Sequence, residues 1–124
     1  MKTLTEQEIA EAVQHEDAVV YDARFNFDVH NITGAGLDRT GCQHKFTQKK
    51  GYTIPYGCMV PEKVNGLLLS GRNISGTHMA HSNFRVMPIC IEIGEACGIA
   101  AALAVKQGKA LRELNVADIQ ALLR

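Results

Sequence analysis

The order of apolar and polar residues predicts a short helix at the start of the chain. Over residues 4–14, apolar side chains recur on one helical face, and Thr5 and Glu8 have the spacing of a capping box. This pattern is typical of a helix that packs by one side. An apolar run at residues 18–21 follows, and its length fits either a strand or a helix.

The next stretch predicts a strand and then an irregular connection. Residues 24–30 alternate polar and apolar side chains, which is the period of a half-buried strand. Residues 31–51 contain four glycines and few large apolar side chains, so we expect no regular structure there. A connection of this length is usually functional or mobile. The inner face of the predicted strand would comprise Phe25, Phe27 and Val29.

Three further segments predict strands in the middle of the chain. Residues 52–54 and 58–60 are short extended candidates, and a proline follows each of them. Residues 67–70 are almost wholly apolar and lie between Gly66 and Gly71. A run of this kind is typical of a strand that is buried on both faces, as in a parallel sheet.

The last third of the chain predicts a polar loop and two helices. Residues 72–83 are polar and indicate a flexible loop. Residues 86–106 predict a long helix, with Pro88 in its first turn and Gly108 as its C-terminal stop. A short helix then begins after Asn115, which is a good N-cap residue. These elements together predict an α+β (mixed α/β) fold of short strands and a long C-terminal helix.

Small residues occupy one face of the predicted long helix. Gly94, Gly98 and Ala102 are spaced by four, and a glycine in a helix costs roughly 1 kcal/mol relative to alanine. We therefore expect another element to pack closely against this face, most simply a sheet in the core. The alternative is a helix whose N-terminus points at an electron-rich ligand. Charged residues interrupt the apolar run and argue against a membrane helix pair.

Composition indicates one globular domain. The chain has 124 residues, 46% hydrophobic and 21% charged, which fits a single domain over residues 1–124. Its 13 basic and 13 acidic residues balance, so we expect neither nucleic-acid binding nor attraction to an acidic membrane. We see no signal peptide and no apolar run that approaches the ~20 residues of a membrane span. We predict a cytoplasmic location, with the four cysteines reduced.

Three groups of residues are candidates for chemistry. Gly71 and Arg72 follow the apolar run, and Arg72 can hold a phosphate or carboxylate or form a structural ion pair. Asp28 and His30 share one face of the predicted strand, where they would position a substrate, transfer protons or simply face solvent. A zinc site is the weakest hypothesis because its residues lack paired Cys-x-x-Cys spacing. Its candidate ligands are Cys42, His44, Cys58, His78 and His81.

Five segments carry a resemblance to a known family. They are residues 52–56, 60–61, 66–78, 85–88 and 94–102. The most distinctive is Leu-Leu-Leu-Ser-Gly-Arg-Asn-Ile-Ser-Gly-Thr-His at 67–78. In this order they are similar to the C-terminal part of the FAD-dependent oxidoreductase family, flavoproteins of the glutathione-reductase type. The resemblance covers most of the chain, with a specific block over 54–102 and a loose match over the first 50 residues.

The resemblance implies a division of the chain into two parts. Residues 52–124 would form the flavin-side part, similar to the C-terminal portion of an FAD-binding Rossmann-like domain, and residues 1–51 a cap-like part. The implied catalytic candidates are His78 and Arg85. The N-terminal amides of the long helix would face the pyrimidine edge of the flavin ring. The implied cofactor-binding residues are Gly71, Arg72, Ser75, Arg85, Val86 and Met87.

One feature of the family is missing from this sequence. Its members carry Gly-x-Gly-x-x-Gly in an N-terminal β-α-β unit, whereas Gly34 and Gly36 have neither a third glycine nor a clear helix after them. FAD is therefore implied as cofactor, yet we expect the chain to be inactive alone. Its expected partner is a complementing FAD-binding chain or further copies of itself. The alternative is a non-catalytic, self-associating α+β domain derived from the same scaffold.

Overall fold

Four α-helices and a two-stranded sheet form the part of the chain that the computed structural model describes, residues 1–29 and 46–123. This arrangement confirms the α+β class. Single 3-10 turns lie at Tyr56–Cys58 and Leu111–Glu113. The elements are α1 (Glu6–Ala10), β1 (Ala18–Ala23), β2 (Tyr52–Pro55), α2 (His78–Phe84), α3 (Met87–Gln107) and α4 (Val116–Gln120).

The N-terminal helix has the predicted capping box but is shorter than residues 4–14. Thr5 Oγ1 accepts a hydrogen bond from the Glu8 amide at 3.3 Å, and Glu8 Oε2 accepts one from the Thr5 amide at 2.9 Å. Helix α1 ends at Ala10 because the chain turns at Ala12, whose φ of 53° is left-handed. Before the helix, Leu4 forms an isolated parallel bridge with Gly76.

Strands β1 and β2 are antiparallel, and β1 resolves the ambiguity of the apolar run at residues 18–21. Their pairing is irregular around Asp22, which has a φ of 52°. The bulge brings Asp22 against Gly51, where an added Cβ would lie 2.4 Å from the Asp22 Cα atom. Only glycine fits this position without moving the backbone.

The core lies between this sheet and helix α3. Helix α3 packs on β1, and α4 packs on both of them. Tyr52 is fully buried, and its hydroxyl donates to Asn83 Oδ1 at 2.7 Å. The Asn83 side chain donates in turn to the Phe25 carbonyl, so this buried polar pair is satisfied. Other fully buried side chains are Leu4, Ile9, Ile54, Met59, Phe84, Ile93 and Ile119.

The strands predicted over residues 24–30 and 58–60 do not form in the described part of the chain. Residues 24–27 have no regular structure, and Phe25 is 38% exposed although Phe27 is buried. The Phe25 carbonyl accepts its hydrogen bond from the Asn83 side chain rather than from a neighbouring strand. Cys58 belongs to the 3-10 turn at Tyr56–Cys58, and residues 59–60 after it form no strand.

The apolar run at residues 67–70 also forms no strand in the described part of the chain. Leu67 is 47% exposed, and Leu69 makes a backbone hydrogen bond to the Met59 carbonyl at 2.8 Å. A strand buried on both faces needs partners along its edges and layers above and below. The two strands of the described sheet pair with each other, so the parallel-sheet prediction is wrong here.

Residues 78–84 are helical where the sequence predicted a polar, flexible loop. Thr77 provides the missed signal, because its hydroxyl oxygen accepts a hydrogen bond from the Ala80 amide at 3.2 Å and caps α2. Helix α2 buries its own last residue, Phe84, completely in the core. Tertiary packing thus stabilises a helix whose polar sequence is by itself typical of a loop.

The two C-terminal helices confirm their predictions. Helix α3 has Pro88 in its first turn and ends at Gly108, whose φ of 63° is the left-handed conformation of a helix C-terminus. Asn115 caps α4, since its side chain accepts from the Ala117 amide at 3.2 Å. Both boundaries were predictable because capping depends on local geometry.

Candidate functional site

A surface cleft of about 360 Å³ lies along helix α2 and is lined by four of the candidate residues, Asp28, His78, His81 and Arg85. His78, His81 and Ser82 are three and four residues apart, so they share one helical face. Arg85 closes the end of the same helix. Asp28 and Val29 form the opposite wall.

The Arg85 guanidinium is paired with Asp28 in this cleft. Its Nη2 atom donates to Asp28 Oδ2 at 3.0 Å and to the Asp28 carbonyl at 3.1 Å. The side chains are 30% and 24% exposed, so the pair is partly desolvated. Arg72 Nε donates to the Arg85 carbonyl at 3.2 Å. The two arginines predicted to be functional are therefore neighbours.

Two imidazoles line the cleft beside this ion pair. His78 is exposed, and the half-buried His81 packs edge-on against Phe84 with ring centroids 5.4 Å apart. Within residues 1–29 and 46–123, neither imidazole forms a hydrogen bond. The Ser82 hydroxyl donates to the Met79 carbonyl at 2.7 Å. The structure thus brings the predicted pair His78 and Arg85 together in one cleft.

Helix α3 begins two residues after Arg85 with an uncapped N-terminus. Its N-cap residue, Val86, provides no side-chain hydrogen bond to the first turn. Met87 is 71% exposed. Amides in the first turn of a helix lack intrahelical acceptors, and the helix dipole favours negative charge beside them. This end of α3 has the electrostatic character of a site for an electron-rich group.

The remaining predicted cofactor residues divide between two places. Gly71 is buried in a tight turn, and an added Cβ there would meet nothing within 4 Å. Arg72 is next in the chain and exposed, so both lie close to Arg85. Ser75 instead contacts the N-terminal segment, with its hydroxyl 2.9 Å from Thr3 Oγ1. No hydrogen bond joins Ser75 to Arg72 or Arg85 in the described ranges.

Several other candidates are buried or outside the described residues. Burial raises the pKa of the Cys58 thiol to about 12 and that of Cys97 to about 11, so both thiols are protonated and unreactive at neutral pH. These two and Cys90 are free cysteines. His30, Cys42 and His44 lie outside the described residues. In the described part, no group of three or more His, Cys, Asp or Glu residues is placed to hold a metal.

The small-residue face of α3 is open rather than packed. An added Cβ at Gly94 or Gly98 would meet nothing within 4 Å in the described part of the chain. On the same side, Met87, Ile91 and Val105 are 71%, 70% and 86% exposed. The prediction of close packing in this chain's own core is therefore wrong for these positions. The core face of α3 is the opposite one, which includes Ile89, Ile93, Ala96 and Ala100.

A groove of about 390 Å³ separates this face of α3 from residues 66–70, which include the apolar run at 67–70. Leu68 forms one side, and Gly94 and Gly98 form the other. Helix α3 also has the length, 21 residues, and the mean hydropathy, 1.7, of a membrane-crossing helix. Core helices of soluble proteins meet the same two criteria, so this observation is weak evidence for a membrane.

The sequence grouped His81 with His78 only as candidate zinc ligands and did not join either His81 or Ser82 to Arg85. The signal was present, because Thr77 is a capping residue and the three polar residues after it have helical spacing. Asp28 reaches Arg85 from 57 positions away in sequence. No local pattern predicts such a contact.

A comparison with protein families identifies the family of this chain. The family model described as FAD dependent oxidoreductase matches residues 1–123. No significant match was found among curated proteins or among solved structures. Because the matched region spans almost the whole chain, it includes the α2 cleft, the uncapped end of α3 and the open face of that helix. The chain belongs to the FAD-dependent oxidoreductase family.

Proposed function

We propose that this chain is the C-terminal, flavin-side segment of an FAD-dependent oxidoreductase of the glutathione-reductase type. In this proposal a second unit provides the dinucleotide-binding motif. The observation that carries it is the uncapped N-terminus of α3, which follows directly on Arg85 in the α2 cleft. An electron-rich ring at this end of the helix would receive hydrogen bonds and a favourable dipole.

The residues present fit the flavin side of such a site. Arg72 offers an exposed guanidinium, and the Met87 amide at the start of α3 offers a donor without a side-chain cap, whereas Pro88 has no N–H group. These groups, with Gly71 and Val86, would hold FAD. When bound, FAD supplies the two-electron acceptor or donor of the reaction. His78 and Arg85 are the residues of this chain that would bind and orient the substrate beside it.

The open face of α3 supports the requirement for a complementing unit. Two glycines in one helix cost roughly 2 kcal/mol relative to alanine, and nothing in the described chain uses the space they leave. Exposed glycines let another backbone approach closely. The groove between residues 66–70 and α3 offers an apolar run beside those glycines. A dinucleotide-binding unit docked here would cover both.

FAD retention on co-expression tests the proposal. The chain is co-expressed with a Gly-x-Gly-x-x-Gly unit taken from a full-length member of the family, and the purified complex is examined for flavin absorbance. We expect flavin in the complex and none with this chain alone. Gly98→Leu should fold normally yet abolish assembly, whereas Ala117→Leu, on the exposed side of α4, should not affect it. A colourless complex, or a Gly98→Leu complex that retains FAD, would contradict the proposal.

A second function is favoured by the same exposed face. Met87, Ile91 and Val105 form an apolar surface that two copies of the chain can bury against each other. The chain would then be a non-catalytic, self-associating domain. Light scattering coupled to size-exclusion chromatography separates the two functions, because a stable monomer excludes this second one. In both cases we propose a cytoplasmic protein that does not bind nucleic acid or membranes.

A further inference from the structure

We propose that the α2 cleft binds a small organic acid through its carboxylate, with Arg85 as the principal anchor. This inference rests on the proposed function, since it names the substrate class of the flavin-side site. It depends on four side chains of the cleft, Asp28, His78, His81 and Arg85. All four side chains belong to this chain, so ligand binding by the cleft can be tested without a cofactor.

Arg85 has unused capacity to donate hydrogen bonds. A guanidinium carries five N–H groups in a planar fork, and the contacts to Asp28 use only the Nη2 atom. Its Nε and Nη1 atoms have no acceptor in the described part of the chain. The planar fork matches a carboxylate, which it binds through two parallel hydrogen bonds. A second carboxylate is therefore the natural ligand of this partly exposed side chain.

The imidazoles add donors on the neighbouring wall. His78 and His81 lie one helical turn apart and line the same cleft, and their ring nitrogens have no partner within the described ranges. Each ring offers an N–H donor when neutral and two when protonated. Together with Arg85 they place donors along the α2 wall of the cleft, and these donors favour a ligand with acceptor atoms.

Asp28 lowers the affinity of the cleft for a carboxylate ligand. Among the described residues that line the cleft, Asp28 is the acidic one, and its carboxylate already lies on one edge of the Arg85 guanidinium. An incoming carboxylate meets its repulsion while sharing the same cation. Asp28 also shows that the Arg85 guanidinium binds a carboxylate in this setting. Weak binding of a small acid is expected, and removal of the Asp28 charge should strengthen it.

The size of the cleft restricts the ligand. A volume of about 360 Å³ lies near the lower end of ligand pockets, which span roughly 300–1,000 Å³. This space accommodates a short organic acid rather than a nucleotide or a peptide. The cleft adjoins the start of α3 through Arg85 and Val86. A carboxylate on Arg85 would hold the rest of the molecule near the proposed flavin side.

Titration with succinate tests the inference on the chain alone, without flavin or partner. The imidazole NMR signals of His78 and His81 should shift in a saturable way, whereas succinamide, its uncharged analogue, should cause no shift. Arg85→Ala should weaken binding at least about tenfold, because charge-assisted hydrogen bonds are lost. Arg112→Ala, an exposed arginine elsewhere, is the matched control.

Asp28→Asn keeps the inference testable if Arg85→Ala does not fold. This variant should bind succinate about two- to fivefold more tightly, which a purely structural role for the pair would not produce. Three results would overturn the inference: no shift with succinate, equal shifts with succinamide, or no gain with Asp28→Asn. Inorganic phosphate binding as tightly as succinate would overturn the assignment to carboxylates. Loss of FAD retention by the complex would instead count against the proposed function.

Discussion

Replacing both exposed glycines of α3 by alanine should stabilise this chain when it is studied alone. Gly94 and Gly98 lie in the middle of a 21-residue helix, where glycine has no conformational role. A Cβ at either position would meet nothing within 4 Å in the described part of the chain. The added methyl groups therefore create no clash. Alanine also lowers the conformational entropy of the unfolded chain, so less entropy is lost when the helix folds.

The expected magnitude follows from helix propensity. Each Gly→Ala change in a helix interior contributes about 1 kcal/mol, so the double variant should gain about 2 kcal/mol. For a domain of this size, this corresponds to a rise in Tm of roughly 5–10 °C. Gly76→Ala is the contrasting control, because its Cβ would lie 2.5 Å from the Phe84 ring. It should destabilise the chain by about 1–3 kcal/mol through overpacking.

Thermal unfolding followed by circular dichroism measures both effects. The reasoning would be refuted if Gly94→Ala/Gly98→Ala lowered the Tm, since the open face would then be packed against part of this chain. The same double variant should lower FAD retention by the co-expressed complex, because the methyl groups prevent close approach of the second unit. A chain that is more stable alone and assembles less well would assign the glycines to the interface.

Three further predictions concern stability. Although burial raises the pKa of Glu8, hydrogen bonds led by that from Lys2 lower it to about 2, below its ordinary value of 4.5. Glu8 thus contributes stability that is complete above pH 4.5 and is lost as the pH falls toward 2; Glu8→Gln should flatten this part of a pH–stability profile, and an unchanged slope would contradict the assignment. Tyr52→Phe should cost about 1–3 kcal/mol in urea unfolding, because Asn83 Oδ1 loses its buried donor; a neutral effect would mean that water replaces the hydroxyl. Asn115→Ala should cost about 1 kcal/mol by removing the α4 cap, and Asn115→Asp, which can still cap, should be close to neutral.

Local chemistry made some of the fold predictable. The capping box at Thr5, the proline and glycine at the ends of α3 and the Asn115 cap all depend on groups within a few residues of one another. Short-range hydrogen bonds of this kind are encoded by the residues that make them. The family was indicated differently, by the resemblance of the segments after residue 52 to FAD-dependent oxidoreductases, and the family model confirmed it.

The strand predictions failed where the outcome depended on distant partners. An apolar run such as 67–70 describes what its side chains prefer to contact, whereas a strand forms only when another edge pairs with it. Phe25 shows the same dependence on distant partners, because its carbonyl accepts a hydrogen bond from the Asn83 side chain, 58 residues away in sequence. Helix α2, in contrast, forms although the sequence predicted a loop. Its cleft-facing residues are polar and hide the helical pattern, and burial of Phe84 in the core stabilises it.

The sequence predicted the family through a resemblance, the ends of helices α3 and α4 through local capping, and four residues of the cleft as separate candidates for chemistry: Asp28, His78, His81 and Arg85. The tertiary structure joined Asp28 to Arg85, placed the two histidines in the same cleft as that ion pair and left the glycine face of α3 open. The physical reason is that helix caps and periodicity act over one turn of chain. A cleft and an open face, in contrast, are defined by which distant segments meet and which surfaces stay uncovered.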